Sequence, residues 1–413
     1  MSDTLPAGWR SEPLGALCEK KGEYGANVPK RAFDPELPRY IRITDINDDG
    51  TLNFRDPASI TEEDAAPYLL RTGDVLIARS GATVGKAYLH NNSHGRFAYA
   101  GYLLRFRPYT DRLLPEYLNH SLHSSWYAAW VRDTQRAQAQ PNINAQEYAR
   151  LPIPLPPVPE QRKIAAILSA VNEVIAKTDA VIESLQILKK AMMQELLTRG
   201  LPGRHTKFKQ TELGEIPEEW TLTTPGAVAR FSGGHGFRPP EWSSSGLPII
   251  RIQNLNGSTD FNYFDGAPEP EWIVEPGELL FAWAGSVGAS FGPCVWPGPR
   301  GVLNQHIYRV SPGPNADLHY IYYLLKLITA EVERRAHGFK HTLVHLRKAE
   351  LTDRPIPVPP LQEQREIVEN LVAVEKRAYA EQIVLAAHIA VKAALMSVLL
   401  TGELRVTPDE DAA

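Results

Sequence analysis

Two glycine-rich turns carry the residues of this sequence with the clearest chemical potential, and each turn directly follows an apolar run. They are Gly81-Ala-Thr-Val-Gly85-Lys86 and Gly285-Ser-Val-Gly288. A glycine followed by lysine is typical of a phosphate-binding P-loop, but that motif requires Gly-x4-Gly-Lys-Ser/Thr. Ser80 and Ala87 break the motif at both ends. The sequence therefore does not predict an ATP site.

Two interpretations of these turns remain open. Glycine is required wherever the backbone takes a positive φ angle, so the turns can be purely structural. Backbone N–H groups and short polar side chains at a turn also bind phosphates or base edges, and Arg79 and Lys86 flank the first turn. The second interpretation predicts loops that face a nucleic acid.

Polar segments before two proline-rich stretches form a second group of candidates. Residues 136–144 contain one arginine and four side-chain amides. Amides can pair bidentately with adenine, and arginine with guanine. The matching residues 338–342 are polar but differ in identity, as two domains that read different bases would require; solvated loops are the alternative. The candidate DNA-contacting residues are Arg79, Ser80, Gly81, Thr83, Lys86, Arg136, Gln138, Gln140, Asn142, Asn144, Trp283, Gly285, Ser286, Asn304, Gln305, Lys340 and His341.

Catalytic and metal motifs are weak. Three histidines spaced by four, His337, His341 and His345, would share a helix face, but no Cys or His-Glu-x-x-His accompanies them, and a polar surface is the preferred interpretation. A methyltransferase would carry (Asn/Asp)-Pro-Pro-aromatic, whereas Pro239-Pro240 lacks both flanking residues. We expect no catalytic residue, no metal and no cofactor in this chain.

The elements that position these candidates occur twice. Leu151-Pro-Ile-Pro-Leu-Pro-Pro-Val-Pro-Glu-Gln-Arg162 returns as Arg354-Pro-Ile-Pro-Val-Pro-Pro-Leu-Gln-Glu-Gln-Arg365, and Leu-Leu-Thr198 returns as Leu-Leu-Thr401. Each copy begins with short β-branched and aromatic runs separated by turn residues, the pattern of an α+β domain. The chain is therefore a tandem duplication of one domain followed by one helix.

Each proline-rich stretch introduces a long helix. Apolar residues repeat every seven positions from Glu160 to about Arg199 and from Glu363 to about Thr401, without an internal Gly or Pro. Such a seam normally packs against another helix, and the nearest candidate is its own duplicate. Glu381 and His388 interrupt the second seam.

Composition excludes several classes of protein. The chain has 413 residues, 43% hydrophobic and 22% charged, with a formal net charge of −4, which indicates a globular protein without overall basicity. The two cysteines, Cys18 and Cys294, predict a reducing compartment rather than a disulfide framework. No signal peptide and no long apolar run is evident, so we expect a cytoplasmic protein with no membrane partner.

The doubled Pro-Ile-Pro-(Leu/Val)-Pro-Pro-x-x-Glu-Gln-Arg and Leu-Leu-Thr resemble the specificity subunit of a type I restriction-modification enzyme, over essentially the whole chain. Gly233–Trp242, followed by Gly246–Ile252, also resembles the start of a recognition domain in that family. The resemblance implies a non-enzymatic reader of double-stranded DNA, with one half-site per domain. It further implies two methyltransferase subunits that carry S-adenosylmethionine, and restriction subunits that use ATP and Mg.

The expected fold is α+β: two tandem target-recognition domains separated by two long helices that form an antiparallel coiled coil with pseudo-two-fold symmetry. The expected boundaries are residues 1–151 for domain 1, 152–203 for the central helix, 204–354 for domain 2, and 355–413 for the C-terminal helix and acidic tail. A coiled-coil scaffold that does not bind DNA is the main alternative. A self-sufficient enzyme is a third, and the absence of a cofactor motif disfavours it.

Arg79→Ala, Lys86→Ala and Gln140→Ala should each reduce DNA binding by the assembled methylating complex, because each removes a donor to a phosphate or base. Titration of labelled target duplex measures the effect. Unchanged affinity and sequence preference in all three variants would remove these residues from the site.

Overall fold

The computed structural model describes residues 5–91, 95–135, 141–286, 288–336 and 343–408. The chain divides into two compact units. Unit 1 comprises Met1–Asp179 and Ile383–Ala413, and unit 2 comprises Ala180–Gln382. The chain passes from one unit to the other inside each of its two long helices. The boundaries expected from sequence, which set the helices apart from the domains, stay a prediction.

Unit 1 combines short strands and helices with the beginning of a long helix. Its elements are β1 (Arg10–Pro13), β2 (Cys18–Tyr24), β3 (Arg31–Ala32), β4 (Arg39–Ile41), β5 (Ala58–Ser59), α1 (Glu62–Ala65), β6 (Val75–Ala78), β7 (Ala87–Leu89), β8 (Phe97–Tyr99), β9 (Leu103–Pro108), α2 (Pro115–Ser121), α3 (Ser125–Gln135), α4 (Ala145–Ala149), β10 (Pro152–Leu155) and α5 (Val158–Leu196).

Unit 2 repeats this order with insertions. Its elements are β11 (Phe208–Thr211), β12 (Gly214–Pro217), β13 (Thr221–Thr223), α6 (Pro225–Val228), β14 (Ala229–Gly233), β15 (Leu247–Ile250), α7 (Ile252–Leu255), β16 (Tyr263–Phe264), β17 (Ile273–Val274), β18 (Leu279–Ala282), β19 (Ala284–Ser286), β20 (Gly292–Val295), β21 (Gly301–Leu303), β22 (Ile307–Pro312), α8 (Leu318–Ala336), β23 (Leu343–His345), α9 (Lys348–Thr352), β24 (Ile356–Val358) and α10 (Leu361–Leu399).

The sheets of the two units correspond. The antiparallel sheet β2-β9-β6-β7 of unit 1 corresponds to β14-β22-β18-β20 of unit 2, and the pair β1-β10 corresponds to β13-β24. In the remaining four-stranded sheets, β4 pairs in parallel with β8 and β15 in parallel with β21. The units differ where the single helix α8 replaces α2 and α3. The expected α+β duplication is therefore confirmed.

Each long helix is attached to its unit by the Glu-Gln pair at its first turn. Glu160 accepts a hydrogen bond from the Trp9 indole at 3.2 Å in unit 1, and Glu363 accepts one from Trp220 at 3.0 Å in unit 2. Both glutamates are buried. The repeated Glu-Gln of the sequence is thus a structural element that fixes the helix to its domain.

The glutamine that follows is completely buried and satisfies three backbone groups. Gln161 Oε1 accepts from the N–H of Leu114 at 2.9 Å, and its Nε2 donates to the carbonyls of Arg112 and Pro156 at 2.8 and 2.9 Å. Gln364 makes the same three bonds in unit 2, to Asp317, Asn315 and Pro359.

The helices pack on each other within each unit. In unit 1, Ile164 and Leu168 at the start of α5 share a core with Met396 and Leu399 at the end of α10. In unit 2 the same pairing brings together the end of α5 and the start of α10, with Leu196, Leu197, Ile367 and Leu371 in one core. Opposite ends of the two helices therefore meet in each unit, as the antiparallel coiled coil requires.

Helix α10 has packed ends and an apolar, exposed middle. Of the described helices, Leu361–Leu399 is long and apolar enough, by length and composition only, to cross a membrane, and only 11% of its most apolar window is buried. The apolar stretch is not continuous in sequence, because polar residues such as His388 and Lys392 interrupt it. Both ends of α10 nevertheless belong to packed cores, so its exposed apolar side chains lie between them. Glu381, which interrupts the seam, forms an ion pair with Arg377 on the same helix.

Gln161→Leu should lower the free energy of unfolding of unit 1 by about 3 kcal/mol, because it leaves buried backbone groups without partners at roughly 1–3 kcal/mol each. Urea-induced unfolding measures the loss. Gln146→Leu, at an exposed position on α4, is the matched control and should unfold like the parent chain. Equal stability of the two variants would contradict the role given to Gln161.

Candidate nucleic-acid interface

In unit 1 the structure brings two predicted segments together. The glycine turn follows β6, and the polar segment before α4 lies directly beside it. Ser80 and Asn142 form an antiparallel bridge, and the Ile143 N–H donates to the Arg79 carbonyl at 2.9 Å. Residues that are about 60 positions apart in sequence thus form one surface.

Unit 2 builds the same pairing from different residues. Strands β19 and β23 pair antiparallel, with Ala284 opposite His345 and Ser286 opposite Leu343. The Leu346 N–H donates to the Trp283 carbonyl at 2.9 Å, as Ile143 does to Arg79. Trp283 therefore occupies the backbone position that Arg79 occupies in unit 1.

The side chain of Arg79 has an aromatic neighbour and, within the described part of the chain, no hydrogen-bond acceptor. Its guanidinium carbon lies 5.0 Å from the centre of the Tyr24 ring. Its Nε is buried and has no hydrogen-bond partner among the described residues, and the same holds for Asn142 Oδ1. Tyr24 and Tyr102 are both about half exposed at this surface.

Around Trp283 the side chains are aromatic rather than cationic. The indole stacks on Tyr308 with ring centres 6.1 Å apart, and His306 and His345 lie at 5.1 and 6.2 Å. The indole N–H donates to the Gln305 carbonyl at 3.2 Å. Burial raises the pKa of the Tyr308 hydroxyl, which therefore stays a neutral donor.

A further pair of matched residues forms a backbone bridge in each unit, shortly before β9 or β22. Ala26 bridges Ala100 in unit 1, and His235 bridges Asn304 in unit 2. The His235 ring stacks on Trp272 at 4.3 Å, and its Nε2 lies 3.1 Å from Glu241 Oε1. Gln305, which follows Asn304, is exposed. Polar side chains of unit 2 thus stand where unit 1 has alanine.

Several predicted residues have internal partners instead. Lys86 Nζ lies 2.8 Å from Asp48 and 3.3 Å from the Ile46 carbonyl, and this contact lowers the pKa of the Asp48 carboxyl. Asn144 caps α4, because its Oδ1 accepts the N–H groups of residues 146 and 147. Thr83 donates its hydroxyl to the Ser80 carbonyl at 3.2 Å. These contacts give Lys86, Thr83 and Asn144 structural roles.

Two predicted glycines have different surroundings. Gly81 has a φ of 71°, and a Cβ built there would meet no atom of the described residues within 4 Å. A Cβ on Gly285 would lie 2.6 Å from the Ser290 hydroxyl, and that hydroxyl accepts the Ser286 N–H at 2.8 Å. The second turn is therefore closed by its own polar contacts.

Five predicted residues lie outside the described part of the chain: Arg136, Gln138, Gln140, Lys340 and His341. Two of the three evenly spaced histidines, at 337 and 341, also lie outside it. Among the residues that are described, no group of three or more His, Cys, Asp or Glu side chains is arranged to hold a metal ion.

The sequence pattern does not single out Tyr24, Tyr102, His235, His306 or Tyr308 as site residues. Insertions shift the register of the two copies before about residue 115, so a constant offset in sequence does not pair equivalent residues there. One signal could have pointed to two of them. Tyr102 and His306 are matched residues, because each directly precedes the corresponding strand, β9 in unit 1 and β22 in unit 2.

Comparison with known proteins agrees with this duplicated arrangement. The model of the type I restriction modification DNA specificity domain matches the chain twice, over residues 6–186 and 217–383. A protein of Methanocaldococcus jannaschii described as the MjaX type I restriction enzyme specificity subunit is 31% identical, over 97% of this chain and 95% of the relative. The MjaVIII specificity subunit of the same organism is 25% identical, over 82% and 80% of the two chains.

Solved structures share the fold. A chain from a study of complex assembly and conformational transition of the type I restriction-modification system has a TM-score of 0.61 at 21% identity, over 97% of this chain and 100% of that one. The S subunit of a type I system from M. genitalium has a TM-score of 0.56 at 15% identity, over 97% of each chain.

The chain belongs to the type I restriction-modification DNA specificity family, since the family model matches it twice and the two matches together cover most of its length. It is a DNA specificity subunit with two target-recognition domains, and it is a recognition subunit rather than a catalytic one. The expectation drawn from the doubled motif is confirmed.

Gly234→Ala should weaken binding of target DNA by the assembled complex by about tenfold or more, which corresponds to roughly 1.4 kcal/mol. A Cβ at this position would lie 2.1 Å from the Leu303 carbonyl oxygen and 2.4 Å from that of Asn304, so the segment that presents Gln305 must move. Gly233→Ala is the matched control, because its Cβ would meet only Tyr308 at 3.9 Å. Equal binding by both variants would show that this segment does not contribute to the interface.

Proposed function

We propose that each unit reads one half of a bipartite double-stranded DNA site through its glycine turn and the polar segment paired with it. The observation that carries this proposal is the matched position of Arg79 and Trp283: the same backbone pairing presents different side chains in the two units. Two readers of different half-sites need a common scaffold with divergent contacts. In this proposal the recognition domains are residues 1–151 and 204–354.

Residues 152–203 and 355–413 contain the long helices, which in this proposal dock methyltransferase subunits. Large apolar side chains are exposed on the helices in both units. They are Val174, Ile383, Val384, Ile389 and Val391 in unit 1, and Val181, Ile187, Leu188 and Tyr379 in unit 2. Large apolar patches that stay exposed mark protein interfaces, and these helix positions are the candidates for such patches. Their presence in both units supports two methyltransferase subunits.

The partners supply the chemistry. The methyltransferase subunits would carry S-adenosylmethionine, and restriction subunits would use ATP and Mg to translocate and cut, in the cytoplasm. Basic and acidic residues nearly balance over the whole chain, which has a net charge of −4. We therefore expect modest DNA affinity of the isolated chain, and firm binding when partner subunits complete the clamp around the duplex.

Methylation of genomic DNA should occur at one split motif only when this chain is expressed with its methyltransferase subunits. Single-molecule methylation mapping of cells with and without the chain tests this, and the motif supplies both half-sites. Binding should also fall steeply with salt, because phosphate contacts release counterions. An active, assembled complex whose methylation pattern does not depend on this chain would overturn the proposal.

A further inference from the structure

Arg79 directly follows β6 and differs from two arginines of the neighbouring strand β9, which are buried or partly buried. Arg105 binds Glu23 at 2.6 Å, and Arg107 binds Asp74 at 2.6 Å, so both charges are neutralised inside the unit. Arg79 forms no ion pair and no side-chain hydrogen bond among the described residues, and its Nε is buried. A buried donor without an acceptor is costly. This side chain therefore gains most from a ligand that brings acceptors to it.

The guanidinium group is held in place before any ligand arrives. The backbone of Arg79 is fixed on both sides, since its N–H donates to the Tyr102 carbonyl at 3.0 Å and its carbonyl accepts from Ile143 at 2.9 Å. The Tyr24 ring lies 5.0 Å from the guanidinium carbon, a distance at which a cation and an aromatic face attract each other. A preorganised planar fork loses little entropy when it binds bidentately.

Two partners fit such a fork, a phosphate and the O6/N7 edge of guanine. Comparison of the two units distinguishes a phosphate contact from a guanine contact. Phosphates are identical in every half-site, so a phosphate contact should be kept in both copies of the domain. Unit 2 places Trp283 at the same backbone position. Trp283 has a single donor, which already binds the Gln305 carbonyl, so it cannot make the bidentate contact. The position therefore diverges as a base-reading position does.

We propose that Arg79 reads a guanine in the half-site bound by unit 1, through hydrogen bonds to O6 and N7, and that Tyr24 is the positioning residue that holds its guanidinium. This inference rests on the proposed function, since it assigns one base contact within it. At that base pair the complex should prefer G·C over any other pair by about tenfold to a hundredfold.

The test uses the complex of the full chain with its methyltransferase subunits. Its probes are duplexes that carry the motif found by methylation mapping, each with one base pair substituted. Arg79→Met keeps a long side chain and removes every hydrogen-bond donor from it. It should reduce the preference at one G·C pair to less than about threefold and leave every other position of the motif unchanged. Tyr24→Leu should weaken the same preference, and Tyr24→Phe, which keeps the ring face, should retain it.

Arg79→Ala separates a base contact from a phosphate contact. For a base contact, the loss of affinity is confined to the preferred duplex and the dependence of log affinity on log salt is unchanged. A loss that is equal for all duplexes, with the salt slope reduced by about one, would show a phosphate contact and overturn the inference. Normal discrimination in the other half-site shows that each variant is folded.

Two further results would also overturn the inference. One is the absence of guanine from the half-site that the Arg79 variants affect. The other is an unchanged motif in Arg79→Met. In either case wild-type methylation would still depend on this chain, so the proposed function would stand. Methylation that does not depend on the wild-type chain would instead mean that the proposed function itself has failed.

Discussion

A buried glutamate at the first turn of each long helix is the constraint on which the rest of this structure depends. In unit 1, Glu160 accepts hydrogen bonds from the Trp9 indole and from the guanidinium of Arg405, at 2.7 and 2.8 Å for the latter. A buried carboxylate is tolerated only when charged or polar donors surround it. The same bonds therefore tie the start of the chain, the first helix and the segment after the second helix to one point.

Unit 2 satisfies the same constraint with other residues. Glu363 accepts from the Trp220 indole, and His205 lies 2.7 Å from its second oxygen. The duplication thus preserves the acceptor and the indole while the remaining partner changes from arginine to histidine. A second cluster of matched residues differs more between the units, because the acid itself is replaced. Lys189 and Tyr323 both bind Glu375 in unit 2. Unit 1 has Lys392, His120 and Asn172 at the equivalent positions, and burial together with Lys392 lowers the pKa of His120 to about 4.

The sequence predicted what depends on local pattern. The seven-residue repeat and the glycines at 200 and 402 predicted helices that the structure shows as Val158–Leu196 and Leu361–Leu399, and both glycines have positive φ angles. The doubled Glu-Gln marked the duplication. The local pattern did not indicate that Asn144 caps a helix or that Lys86 binds Asp48, because capping and long-range ion pairs depend on where the chain folds back.

The pairing of the glycine turn with the polar segment was beyond the sequence for the same reason. It depends on backbone hydrogen bonds between Arg79 and Ile143 in one unit and between Trp283 and Leu346 in the other. Backbone pairing is indifferent to side-chain identity, so no residue preference signals it. That indifference also explains how the two units can differ. The main chain holds the surface in shape, and the side chains on it are free to diverge without loss of the fold.

Recognition and assembly therefore place different demands on different residues. The helix seams, Glu160 and Glu363 must keep their partners, since a buried acceptor that loses its donor destabilises the whole unit. The side chains of Arg79 and Trp283 are partly buried and take no part in the bonds of Glu160 and Glu363, so a substitution there leaves those bonds intact. A change of base preference can thus arise at the turn while the helices, and the apolar side chains exposed on them, remain as they are.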